Sequence, residues 1–234
     1  MTTPLIPVAL EIGTKRVIAS ALDWPGWARI GRDEDAAIDT LLAYGPRYQR
    51  AIRSTKLDLQ VPPRSSQFTV AERLDGNATT DYGVPGMAPS ADSAPANKAA
   101  LERLDTILGA CWDAFEGAVA TAGGKELRKG PRGGGRDVER IVDHVVESHF
   151  GYLRQVAWRE PHEGADDLSG TIKSIKKIDA GALAFAASDE MPAAGPRGGK
   201  LWTPRYFVRR AAWHILDHAW EIEDRLVDRT GASS

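Results

Sequence analysis

Cysteine is nearly absent from this sequence. Cys111 is the only one in 234 residues. A single thiol excludes internal disulfides, so the fold must rest on a packed core, and this usage suits a reducing cytoplasm. Cys111 stands among Leu108, Trp112 and Phe115, which predicts a buried structural thiol rather than a nucleophile. No apolar run approaches the ~20 residues that a membrane helix needs. A basic stretch leading into an apolar one is missing at the N-terminus, so no secretory signal is expected. An excess of one charge is missing too: 30 basic residues stand against 32 acidic ones, a formal net charge of −2. That balance gives no general reason to expect nucleic acid or an anionic membrane as a partner. The expectation is a soluble, cytoplasmic, bacterial-style protein. Its 42% apolar residues suffice for a core, in one large domain or two small ones.

What is present changes character along the chain. Residues 7–31 carry three short strand-like runs, Val8–Ile12, Val17–Leu22 and Ala28–Ile30, separated by Gly13-Thr14-Lys15 and Asp23-Trp24-Pro25-Gly26-Trp27. A helix follows, with Asp33 as cap and Glu34 and Asp35 in its first turn; Gly45-Pro46 is expected to end or kink it. Residues 57–96 are rich in Pro, Ser, Gly, Asn and Asp and read as a loop or linker, with one candidate strand at 67–71. From residue 97 the period becomes helical. Leu101, Leu104, Ile107, Leu108, Cys111, Trp112 and Phe115 step by three and four and predict a helix over 97–121. A second helix starts at Asp137, with Tyr152 among its inward positions. Residues 165–190 are ambiguous, because Ile172, Ile175, Ile178 and Leu183 favour a helix that Gly170 and Gly181 disfavour. The last helix has Thr203 as cap and Pro204 at its first position. The fold class is therefore α+β: residues 1–56 as a small sheet plus helix, then a four-helix bundle over 97–230.

Histidine is scarce, five in all, and its placement is informative. His214 and His218 lie four residues apart and share one helix face. His144 lies on the second long helix. Three imidazoles can hold a zinc or similar divalent ion and leave one position open, the arrangement of a catalytic site. Nearby carboxylates, Glu147, Asp217 and Glu221, are candidates for orienting the rings, and Glu147 is also a candidate general base. His149 points some 140° away from His144 at 100° per residue, so it is expected off the site. His162 follows Pro161 in a polar loop and is expected exposed. The competing reading makes each histidine an ordinary core or surface residue.

Two loops before the histidine-bearing helices look alike: Lys129-Gly-Pro-Arg-Gly-Gly-Gly-Arg136 and Gly195-Pro-Arg-Gly-Gly-Lys200. An up-down bundle would run those two helices parallel and gather both loops at one end. Arg132, Arg136 and Arg197 would then form a basic rim ~10–15 Å from the metal, fit to hold the anionic end of a small molecule. No strand precedes either loop, so phosphate-loop and dinucleotide readings fail on context.

The segment Ile141-Val-Asp-His-Val-Val-Glu147 and the closing Arg210-Ala-Ala-Trp-His-Ile-Leu-Asp-His-Ala-Trp-Glu221 resemble the DinB-like superfamily, which includes thiol-dependent S-transferases and mycothiol-dependent maleylpyruvate isomerases. The likeness implies a four-helix bundle with an unusual crossover, and a divalent metal, zinc or nickel, on His144, His214 and His218. It also implies a low-molecular-weight thiol such as mycothiol or bacillithiol. Residues 7–52 are similar to the HicB antitoxin-like β-β-β-α module. The leading expectation is a metal-dependent transferase or isomerase acting on a small electrophilic or anionic substrate. Glu147 would be its proton acceptor and Arg132, Arg136 and Arg197 its anion-binding residues. It would have no nucleic-acid or membrane partner, and a homodimer stays open. The alternatives are a non-catalytic metal-binding or partner-binding protein using the HicB-like module, and a bundle whose histidines bind nothing.

Overall fold

The first two apolar runs become strands buried along nearly their whole length, on both faces. The structure is a computed structural model describing residues 5–129, 135–159, 165, 167–195 and 198–226. Strands β1 (Ile6–Ile12), β2 (Val17–Ala21) and β3 (Ala28–Gly31) form an antiparallel meander. Leu10 stands opposite Ala19, and Ile18 opposite Ile30. Helix α1 (Glu34–Ala51) then carries the chain back to β4 (Phe68–Asp75), which pairs parallel with β1 and completes the order β3-β2-β1-β4. A parallel neighbour needs such a crossover, because a hairpin cannot reverse the chain twice. The strand expected at 67–71 is β4, which starts one residue later and runs on to Asp75.

Helix α1 begins as its sequence suggests, with Asp33 accepting from the Ala36 amide at 2.8 Å. Its end differs from expectation. The helix continues through Pro46 to Ala51. Trp27 offers a reason: its indole N–H donates to the Leu41 carbonyl at 2.8 Å, in the turn before the proline. Its ring stacks on Tyr48 in the turn after, centroids 5.6 Å apart. Packing on both sides of Pro46 outweighs the lost backbone bond. Trp24 meets Tyr48 edge-on and lies under the Arg103 guanidinium. Both tryptophans thus anchor the 23–27 turn.

The 57–96 stretch is more built than a linker. Besides β4 it holds α2 (Ala78–Tyr82), capped by Asn77, and a 3-10 turn at Ser90–Ser93. Its loops are tied by side chains. Buried Glu11 of β1 accepts from the Thr80 hydroxyl (2.5 Å) and from the Gly86 and Met87 amides (3.0 and 3.1 Å). Such long-range anchors leave no trace in a loop-like composition.

Four long helices complete the chain: α3 (Lys98–Ala122), α4 (Val138–Gln155), α5 (Leu168–Ala186) and α6 (Pro204–Arg225). The ambiguous segment forms one uninterrupted α5. Gly181 is accommodated because the Trp158 ring packs where a Cβ would stand, its nearest carbons 3.2 Å away. Helix α6 is the central element, buried along most of its length. Trp213 packs with Ile18 and Ala28 on the sheet face opposite α1. Gly26, at φ +94°, brings the 23–27 turn so close that a Cβ would meet Ala212 at 3.0 Å. One apolar cluster runs from Val8 and Leu10 through Trp27 and Trp112 to Phe207 and Ile222, so sheet and helices share a core.

The helix directions correct the expectation of an up-down arrangement. Helices α3 and α6 run parallel. Asp92 and Ala94, before α3, bond to Thr203, Arg205 and Arg209 at the start of α6, and Leu127 pairs with Leu226 beyond the other ends. Helix α4 runs against α6: the Gln155 carbonyl accepts from the Trp202 amide, and the Arg136 carbonyl from Arg225. Helix α5 runs with α4, since Trp158 meets Gly181 and Phe185 near its far end while Val142 and Val146 share a cleft with Leu168 near its start. Of the consecutive helices only α4 and α5 run parallel, so the chain between Gln155 and Leu168 has to pass from one end of the helices to the other.

Candidate metal centre

Antiparallel packing of α4 on α6 sets His144 opposite the turn that carries His214 and His218. Four-residue steps along α6 align Tyr206, Arg210, His214 and His218 in one stripe. Helix α4 contributes His144 and, two turns later, Tyr152. The three imidazole centroids form a near-equilateral triangle, 5.1 Å for His144–His214, 5.0 Å for His144–His218 and 4.7 Å for His214–His218. One ligand nitrogen from each ring lies within 4.8 Å of the others. Nε2 of His144 and Nε2 of His214 are 3.2 Å apart. Two nitrogens bound to one tetrahedral ion at about 2.0–2.1 Å stand roughly 3.3 Å from each other, so this spacing fits a shared cation.

The electrostatics favour the neutral, ligand-competent form of His214 and His144. Burial, aided by His218, His144 and Arg210, pushes the His214 pKa down to about 2. Burial also lowers that of His144, with Arg136 and His218 adding to the effect and Glu147 and Glu221 opposing it. His218 is turned by a carboxylate: its Nδ1–H donates to Glu221 Oε2 at 2.8 Å, which leaves Nε2 as the free lone pair. The hydrogen bond from His218 holds the Glu221 carboxyl below its usual range, with Arg225 contributing. Arg225 Nη1 donates to Glu221 Oε1 at 2.5 Å, while its other nitrogens bind the Arg128 and Arg136 carbonyls. The connection between α3 and α4 is thereby tied to the end of α6.

No family model, curated protein or solved structure matches the chain.

Other expected residues fall as follows. Glu147 is exposed, one turn beyond His144, near enough to raise that ring's pKa but without a hydrogen bond to it. Asp217 does not orient a ring. It pairs with Arg29 of β3 at 2.9 Å, under the ring faces of Tyr44 and Trp220. Arg132, Arg197 and His162 lie outside the described residues. Arg136 is exposed and sits at the C-terminal end of α6, whereas Gly195 and Lys200 flank Trp202 at the opposite end. The antiparallel α4–α6 pair therefore places Arg136 and Lys200 at opposite ends of α6.

His149 is off the triad, as its helical angle requires. It is buried, with Nε2 2.6 Å from Asp179 Oδ1, and Asp179 Oδ2 accepts from Trp112 Nε1 at 3.2 Å. This cluster joins α3, α4 and α5 behind the site. Cys111 is fully buried, and burial raises its thiol pKa well above the ordinary value. The residue that sequence reasoning passed over is Arg210. Its signal was available: it lies one helical turn before His214, on the same stripe.

Proposed function

We propose that the protein is a metal-dependent enzyme that joins or rearranges a small electrophilic or anionic substrate with the help of a low-molecular-weight thiol. The α3–α6 helices are read as a DinB-like four-helix bundle, and the N-terminal sheet with α1 as a HicB-like module. The observation that carries the reading is the triangle of His144, His214 and His218. Three neutral nitrogens leave one position of a divalent ion open, which suits an enzyme better than a closed structural site. Zinc or nickel fits this donor set. When bound, the ion supplies Lewis acidity that favours the thiolate form of a thiol such as mycothiol or bacillithiol. His218, held by Glu221, keeps its lone pair directed inward. Glu147, on the solvent side of His144, accepts the proton released as substrate and thiol react.

Elemental analysis of protein purified without chelator tests the first half of this reading. About one zinc or nickel per chain is expected, lost in His214→Ala. A thiol-conjugation assay with monochlorobimane and bacillithiol or mycothiol tests the second half. Metal-free protein that ignores added zinc sinks the proposal.

A further inference from the structure

Arg210 is an unusual residue to find beside such a centre. It is only 8% exposed. Its Nη1 donates to the Pro85 carbonyl, and its guanidinium lies 5.2 Å from the Trp213 ring centroid and 5.7 Å from that of Tyr152. Among the described residues no carboxylate forms an ion pair with it. The contrast with its neighbour is sharp. Arg209, equally buried, is neutralised by both oxygens of Asp92 and capped by the Ala21 and Leu22 carbonyls. The nearby buried acid, Glu11, is already engaged by Thr80, Gly86 and Met87. A buried cation without a counter-anion is costly, and that cost falls when a ligand supplies the negative charge.

Its position says which ligand. Arg210 precedes His214 by one turn, a rise of about 6 Å, on the stripe that faces α4. The Tyr152 ring bridges the two, 5.7 Å from His214 and from the Arg210 guanidinium. An imidazole ligand carries no charge, so an ion held by three of them would keep its full positive charge, with Arg210 adding another beside it. We infer that Arg210 is the recognition residue for a carboxylate on the molecule that takes the open metal position. The ligand class is a small carboxylate-bearing thiol or carboxylate-bearing electrophile, reaching along α6 from His214 toward Tyr206. Arg210 takes the role expected of Arg132, Arg136 and Arg197. This inference rests on the metal reading above.

Cobalt(II)-loaded full-length protein tests it through the visible spectrum of the ion. Mercaptoacetate, 3-mercaptopropionate and 4-mercaptobutyrate are titrated against neutral 2-mercaptoethanol. At least one carboxylate thiol is expected to bind about tenfold more tightly than 2-mercaptoethanol, the effect of one charge-assisted hydrogen bond. Arg210→Gln removes that preference without removing the cobalt spectrum, and Arg210→Lys keeps part of it. A protein that takes no cobalt overturns the metal reading and this inference with it. An intact cobalt spectrum with equal affinity for charged and neutral thiols overturns the inference alone. A preference that survives Arg210→Gln does the same. Wild-type selectivity is measured without any variant, so a misfolded Arg210→Gln does not protect the proposal.

Discussion

His218 and Glu221 form a hydrogen bond of 2.8 Å one turn apart on α6, and Arg225 grips the far oxygen of the same carboxylate. The pair fixes which nitrogen of His218 carries the proton. Glu221→Gln keeps the shape and loses the charge that secures this tautomer. Zinc affinity, measured by competition with a chromophoric chelator, is expected to fall ten- to a hundredfold, roughly the cost of removing such an outer carboxylate. An unchanged affinity would show that His218 is oriented by packing alone.

Metal binding should also appear as stability. An ion that binds only the folded chain adds about 2.7 kcal/mol when present at a hundred times its dissociation constant. Chelator is expected to lower the thermal midpoint of the wild type and leave that of His144→Ala where it is. Equal melting with and without chelator in both proteins argues against the site.

Asp92 and Arg209 make a two-pronged ion pair buried between the start of α3 and the start of α6. Removing one partner strands the other charge out of water. Asp92→Ala is expected to cost about 3–5 kcal/mol in urea unfolding. The exposed Arg32–Asp33 pair provides the control, where Arg32→Ala should change stability by less than about 1 kcal/mol.

Burial, and then the nearby Asp179, raise the pKa of Asp105 above its ordinary 3.8, against an opposing pull from Lys176. The folded chain therefore holds this proton more tightly than the unfolded one. That contribution is present at acid pH and is lost as pH rises through the raised value, so at neutral pH the ionised carboxylate is a small cost. Asp105→Asn should be more stable than the wild type at pH 7, by roughly a few tenths of a kcal/mol because the site is half exposed. The difference should vanish at pH 3. A variant that is less stable at neutral pH contradicts the assignment.

Cys111 offers a check on the core. Its thiol is fully buried, and burial raises its pKa. Thiol reagents such as Ellman's reagent should react with it only after denaturation. Rapid reaction in buffer would mean that α3 is not packed as described.

Much of the helical part was legible because its signals are local. Asp33, Asp137 and Thr203 are good caps wherever the helix later packs, and they cap α1, α4 and α6. The apolar steps from Leu101 to Phe115 predict α3 from periodicity alone. The four-residue spacing of His214 and His218 sets them on one face before any partner is known. Errors came where a distant contact overrides a local preference. Trp27 and Tyr48 carry α1 through Pro46, Trp158 occupies the space that Gly181 leaves, and Glu11 and Arg209 order loops whose composition suggests a linker.

The sequence by itself determined which side chains share a helix face, and hence that Arg210, His214 and His218 form one row. It also determined that scarce histidines and a lone thiol leave few candidates for chemistry. Only the tertiary structure decided which way α4 runs against α6. That choice parts Arg136 from Lys200 and brings His144 and Tyr152 to the row on α6, while the packing of α6 on the sheet turns Asp217 toward Arg29. Helix periodicity is fixed within a few residues by backbone hydrogen bonding. Helix direction depends on long crossing connections and on the burial of whole faces, and no short stretch of chain encodes those.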